Sequence, residues 1–173
     1  MSLDYFERYL KEYGKAVYSF CLYLTHNRAD ADDLYQQTFL TAMEKNEIQE
    51  NENPKSYLIS IAVNLKNNQK RKFLWRKKKF ERVESENFDL EAIADTASNT
   101  EEQIMQAEEI RMLREAVAEL PEKMRIVVLM FYMEEMSILE IAEALQIPDG
   151  TVKSRLHQAK EKLSERMKTY YEK

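Results

Sequence analysis

The chain has 173 residues, 33% of them charged, with only 2 Gly, 3 Pro, 1 Cys and 2 His and a formal net charge of −5. One cysteine cannot close an internal disulfide, and one Cys with two His cannot fill a four-ligand zinc site without carboxylates, so a secreted disulfide scaffold and a zinc finger are excluded. Scarce Gly and Pro leave little material for hairpins or phosphate-cradling loops, while abundant Glu, Lys, Leu, Met and Ala favour helix. The expected fold class is all-α.

No apolar run approaches the roughly 20 residues that cross a bilayer, and charges interrupt the N-terminus where a signal peptide needs an apolar core. A cytoplasmic protein with no membrane insertion of its own is expected. Its charge is unevenly distributed, with −4 over residues 1–65, +8 over 66–82, −9 over 83–110 and zero over 111–173.

In chain order, Phe6, Leu10, Tyr13, Val17, Phe20, Cys21 and Leu24 recur at helical spacing and predict an amphipathic first helix that tolerates Gly14. A second helix begins near Asp30 and Asp32, whose carboxylates suit a helix N-terminus, and puts Leu34, Thr38 and Thr41 or Ala42 on one side. Asp30, Asp32 and Asp33 lack the glycine turn and later glutamate of a calcium loop, so no metal site is expected there.

Residues 46–54 are polar and end at Pro54, which predicts a loop. A third helix follows, with Leu58, Ile61, Ala62 and Leu65 inward. It carries the short amides Asn64, Asn67 and Asn68 and runs into the basic block 66–82, where Phe73, Trp75 and Phe80 interleave the cations. That composition suits contact with a nucleic-acid backbone and stacking on bases. The acidic segment after it, with no Lys or Arg, predicts a flexible linker.

Helical periodicity returns at Glu101, with Ile104, Ala107, Ile110 or Arg111, Leu113 or Arg114, Val117 and Leu120 leading to Pro121, which opens the next helix. The apolar run IVVLMFYM predicts a buried segment. Ser137 and Glu140 form a capping-box pattern before a short helix with Ile138, Ile141, Ala142 and Leu145 inward. Residues 146–150 break it, and a further helix from Thr151 buries Val152, Leu156, Ala159 and Leu163. Two short helices joined by a tight turn predict a helix-turn-helix. Its second helix turns Lys153, Ser154, Arg155, His157, Gln158 and Lys160 outward, suited to phosphates and base edges in a major groove.

Taken together, these segments resemble the bacterial sigma-70 family of RNA polymerase sigma factors, specifically the extracytoplasmic-function (ECF) group that retains only regions two and four. Residues 30–42 look like the polymerase-docking motif of region two, and residues 54–66 like its following helix. Residues 120–125, 138–145 and 150–160 look like region four. The resemblance implies a transcription initiation factor without catalysis or cofactor, which recruits core RNA polymerase to promoter DNA. It implies region two at residues 1–82, an acidic linker at 83–103 and the region-four helix-turn-helix at 104–173.

By the same resemblance, Asp32, Asp33, Leu34, Gln36, Gln37 and Phe39 contact the polymerase clamp helices, and region four also meets the flap. The loop from Asn46 to Asn53, with Tyr57 and Asn64, holds a flipped base of the −10 element. Asn67, Asn68, Lys70, Arg71, Lys72 and Trp75 extend that surface along the strand. Lys153, Ser154, His157 and Gln158 face the −35 bases, while Arg155 and Lys160 hold phosphates. A partner anti-sigma factor, membrane-anchored in many relatives, is also implied. The chain departs from the family pattern at Met43–Glu44, where many members have tryptophan, and at Gln37, where they have glutamate. The alternatives are a stand-alone helix-turn-helix regulator, or a metal-dependent hydrolase using Asp30, Asp32, Asp33 and His26, which lacks any second polar motif.

Overall fold

The computed structural model describes residues 3–45, 53–77 and 101–172. Within them the chain runs α1 (Leu3–Thr25), α2 (Arg28–Lys45), α3 (Pro54–Lys77), α4 (Glu101–Glu119), α5 (Glu122–Val128), a π-helical turn (Leu129–Met133), α6 (Ile138–Leu145) and α7 (Asp149–Tyr171). No strand occurs among the described residues.

The first three helices pack on one another. α1 buries Tyr9, Val17, Phe20, Cys21, Leu22 and Leu24. The expected stripe holds except at Leu10, which is 38% exposed while neighbouring Tyr9 takes the inward position. Gly14 permits close approach of α2, because a Cβ there would lie 2.9 Å from Tyr35 Oη. Beside it Tyr18, Tyr35, Phe39 and Phe6 form a chain of edge-on rings, with centroids 5.0–6.0 Å apart.

α2 starts one turn earlier than the aspartates suggested. Asn27, rather than Asp30 or Asp32, accepts the helix-start hydrogen bond, from Asp30 N at 3.0 Å. Asp30 adds negative charge to the first turn, where it favours the helix dipole. Leu34, Thr38 and Ala42 are buried as expected, and Thr38 Oγ1 satisfies itself by donating to Leu34 O at 2.7 Å.

α3 continues to Lys77, past Trp75. It buries Leu58, Ile61 and Ala62, as the periodicity required, and also Ser56, Ile59 and Val63. An amphipathic stripe cannot account for both sets. α3 is covered on one flank by α1 and α2 and on another by α6, so one core cluster extends from Val17 to Val152. The two halves of the chain are thus in contact. Residues 83–100 of the expected linker lie outside the described residues, and its last three positions begin α4.

α4 forms where the periodicity returns, but it is exposed at Ile104, Ala107, Ile110 and Leu113 and buried only near its end, at Ala116. There it packs on α7, joined by Arg166 Nε to Glu119 at 3.0 Å and Tyr171 Oη to Glu109 at 2.7 Å. Arg125 donates to Ala118 O at 3.2 Å and caps the carbonyl end of α4. The buried run Ile126–Met130 ends in the unanticipated π turn, where Glu134 N bonds to Leu129 O at 3.1 Å and Tyr132 emerges 60% exposed.

The helix-turn-helix is α6 and α7. Ser137 Oγ accepts from Glu140 N at 3.2 Å, and Glu140 Oε2 accepts from Ser137 N at 2.8 Å, completing the expected capping box. Two details of the turn differ from expectation. Gln146, not a glycine, adopts the left-handed conformation at φ 54°, and Gly150 lies inside α7, which begins at Asp149. A non-glycine residue there is uncommon, and the 3.0 Å bond from Ile147 N to Ala142 O helps hold it. Ser137→Ala removes one of the two reciprocal cap bonds and is expected to lower unfolding stability by about 1 kcal/mol in urea titration.

Candidate nucleic-acid interface

α7 rises from the turn as a 23-residue helix. Val152 and Ala159 are buried, and Leu156 and Leu163 are partly buried against α5 and α6. This leaves Lys153, Ser154, His157, Gln158 and Lys160 exposed on one side. Local pairs order that surface: Gln158 Nε2 donates to Ser154 Oγ at 3.5 Å, Lys153 sits 3.5 Å from Asp149, and His157 Nε2 sits 3.4 Å from Glu161. Arg155 points elsewhere: at 100° per residue it falls about 60° beyond Gln158, and it is half-buried.

On α3, Tyr57, Asn64 and Asn68 lie within about 40° of one line along the helix. Asn64 and Asn68 are exposed and Tyr57 is half-buried. Arg71 and Trp75 continue this register and Lys72 flanks it, though the structure describes only their backbone. Asn67 is half-buried beside the line. Lys70 lies on the opposite flank, where its ammonium meets the Glu122 carboxylate. Asn46 to Glu52, Lys78 and Lys79 lie outside the described residues.

The α2 residues expected to dock divide in two. Asp32, Asp33, Gln36 and Gln37 are exposed, whereas Leu34 and Phe39 are buried to 1% and 4% exposure and serve the core. Outside that expectation, Leu40 and Met43 expose 49% and 37% beside those polar groups. A signal was available, because Leu40 follows Gln36 and Gln37 by four and three residues while Leu34, Thr38 and Ala42 already fill the inward side. Asp32 also accepts the Tyr18 hydroxyl at 2.6 Å. Among the described residues no three His, Cys, Asp or Glu side chains gather as a metal-ligating group.

The junction of the halves is rich in ionisable groups. Glu134 has 2% side-chain exposure and pairs with Lys55 at 3.5 Å. Burial pushes its carboxyl above the usual range, and Lys55 only partly offsets this. Burial, and then Glu134, push the Cys21 thiol up to about 12. Glu122 is held below its usual value: burial opposes this, but Lys70, Arg125 and Lys66 outweigh it. His26, turned at φ 54° off the end of α1, is lowered to about 4 by burial and then by Arg125 and Lys66. A groove of ≈ 380 Å³ separates Asn53, Ser56, Tyr57 and Ser60 of the α3 side from Met136, Glu140, Glu143 and Ala144 of the α6 side.

A helical chain that combines an amide- and lysine-bearing helix with a capped helix-turn-helix is built as a nucleic-acid-binding protein. Comparison with known proteins specifies the kind. Residues 9–77 match the family model for sigma-70 region 2, and residues 110–163 match that for sigma-70, region 4. The chain is 31% identical over 147 residues to the RNA polymerase sigma-E factor of Streptomyces antibioticus, covering 84% of this chain and 75% of that one. It is 27% identical over 172 residues to the ECF RNA polymerase sigma factor SigW of Bacillus subtilis, covering 95% and 90%. Its fold is similar to that of the sigma factor RpoE of Bartonella quintana, solved with the anti-sigma factor NepR (TM-score 0.72, 21% identity, 96% and 98% coverage). It is also similar to that of CnrH, solved with the cytosolic domain of CnrY (TM-score 0.65, 18% identity, 97% and 90% coverage). The chain belongs to the sigma-70 family of RNA polymerase sigma factors, in its ECF group.

The lowered value of His26 has a consequence for stability. Between about pH 6.5 and about pH 4 the unfolded chain binds more protons at this residue than the folded one, so stability falls as pH falls through that window. The raised carboxyl of Glu134 acts in the opposite sense as pH falls through its folded value, because the folded form then holds the extra proton. His26→Asn tolerates the left-handed backbone. It is expected to flatten the fall in melting temperature between about pH 7 and pH 5.5 by the equivalent of about 1 kcal/mol or less after screening.

Proposed function

We propose that the chain binds core RNA polymerase and directs it to specific promoters, with α3 engaging the −10 element as it melts and α7 reading the −35 element. The observation that carries this reading is the presence, in order on one chain, of the region-two match with its exposed amide line on α3 and the region-four match with its polar α7 face. Ser154, His157 and Gln158 supply donors and acceptors for base edges, and Lys153 and Lys160 supply cations beside them. Arg155, half-buried and off this face, is assigned to phosphate rather than base.

On α3, Asn64 and Asn68 meet the unpaired strand, and Tyr57 with Asn53 borders the site of a flipped base. Arg71, Lys72 and Trp75 supply backbone neutralisation and stacking, while Lys70, turned to the other flank and held by Glu122, is not assigned to the strand. Asp32, Asp33, Gln36, Gln37 and the exposed Leu40 dock on the polymerase clamp. The protein catalyses nothing itself and works in the cytoplasm, with no helix among the described residues long and apolar enough to cross a membrane. A protein inhibitor of the anti-sigma class is the partner that holds it inactive.

Purified protein added to core polymerase is expected to give discrete run-off transcripts from promoters of its own genome; the absence of any such transcript would refute the reading. A stand-alone regulator would instead bind duplex promoter tightly without polymerase in a gel shift. Gln158→Ala is expected to change preference at one −35 position by about 1–3 kcal/mol. Neutralising Lys77, Lys78 and Lys79 is expected to weaken engagement of all promoters alike and to flatten its salt dependence.

A further inference from the structure

Asp32, one of the carboxylates assigned to the polymerase clamp, is held by a residue outside the docking helix. Tyr18 on α1 donates its hydroxyl to Asp32 Oδ1 at 2.6 Å. The tyrosine is itself fixed: its ring stands edge-on to Tyr35 at 5.5 Å, and Tyr35 stands at 5.0 Å against Phe39, which is buried in the core. The bond to Asp32, and then burial, raise the Tyr18 hydroxyl above the usual tyrosine range, with Arg28 opposing, so the hydroxyl keeps its proton and donates at neutral pH. Beside this bond α1 and α2 form a notch of ≈ 400 Å³ lined by Gly14, Lys15, Tyr18, Asp32, Tyr35 and Gln36. Asp32 and Gln36 stand one turn apart on the same side of α2, so the notch brings two of the assigned docking groups to one place. The Tyr18 bond is made to one oxygen of Asp32 and leaves Oδ2 able to accept from a partner.

We propose that Tyr18 is a positioning residue for polymerase docking: its hydroxyl holds the Asp32 carboxylate at the rim of the α1–α2 notch, beside Gln36, ready for a donor side chain of the clamp. This rests on the assignment of α2 to the polymerase and adds to it a residue of α1 that the docking segment does not contain. An exposed aspartate otherwise turns freely about its side-chain bonds, and ordering it on association costs affinity. Here folding has already ordered it, through a chain of rings that runs from Tyr18 by way of Tyr35 and Phe39 to Phe6. The group that fits opposite Asp32 is a lysine or arginine of the polymerase, a cation that only donates meeting an anionic oxygen that only accepts.

The test measures the affinity of the fluorescently labelled full chain for core RNA polymerase by anisotropy, at a temperature where every variant retains native circular dichroism. Four proteins form a cycle: native, Tyr18→Phe, Asp32→Asn and the double variant. Tyr18→Phe keeps the ring against Tyr35 and removes only the hydroxyl. Asp32→Asn still accepts the Tyr18 hydroxyl through its amide oxygen but has no anionic oxygen to present. Tyr18→Phe is expected to weaken binding about fivefold in the native background. Asp32→Asn is expected to weaken it at least as much, and adding Tyr18→Phe to that variant to change it by less than about twofold. A loss of the same size in both backgrounds refutes the proposal, because the hydroxyl would then serve the packing of α1 on α2 and not the charge of Asp32. Native affinity in Tyr18→Phe refutes it equally. Failure of the native chain to bind core polymerase would refute the docking assignment itself, whereas native binding with an indifferent Tyr18→Phe would refute only the positioning.

Discussion

The burial of α3 on more than one flank constrains everything else in the molecule. Its first three turns carry Leu58, Ile59, Ile61, Ala62 and Val63, all of which reach near-complete burial. Apolar area of that extent, at about 25 cal/mol per Å², cannot be satisfied by a single neighbouring helix. α1 and α2 cover one flank and α6 another, so the helix is left with one polar line along which it can work. The exposed amides Asn64 and Asn68 sit on that line, between the flanks committed to packing.

Closing the second flank has an electrostatic cost. Glu134 enters a site that raises its carboxyl, and one lysine at 3.5 Å does not fully offset the lost solvation. Around it the balance differs by position: the more open Glu122 is drawn down by Lys70, Arg125 and Lys66, while His26, close to two of the same cations, is kept neutral. The apolar part of the junction favours contact and the ionic part opposes it at its centre.

Much of this organisation is legible in the sequence, where local chemistry and packing agree. The capping box at Ser137 and Glu140, the inward Val152 and Ala159 of α7, and the Leu34, Thr38 and Ala42 side of α2 follow from spacing alone. What spacing misses is tertiary. Ile59 and Val63 lie off the stripe that faces α1 and α2, and their burial depends on a segment some 80 residues later in the chain. Leu34 and Phe39 were expected among the docking residues, yet their side chains are spent on the core, because a motif records residue identity and not direction. On α4, Ile104, Ile110 and Leu113 have helical periodicity but no neighbour among the described residues that buries them. Gln146 took the position a glycine would ordinarily hold, since its backbone bonds outweigh the Cβ penalty.

The π turn at Leu129–Met133 sets an angular phase. In an uninterrupted α-helix the residues after Met130 would advance by a fixed 100° each, so the buried run and whatever follows it would be locked in one rotational relation. Hydrogen bonding one residue further along the chain relaxes that relation and lets the run end with Tyr132 in solvent and Glu134 turned toward Lys55. The orientation of α6 follows from this wide turn together with the left-handed Glu135 and the extended Ser137 after it, and that of α7 from Gln146 beyond. Sequence changes that keep all five of its side chains but restore ordinary helical winding would re-aim the whole DNA-reading unit without touching a residue that meets DNA.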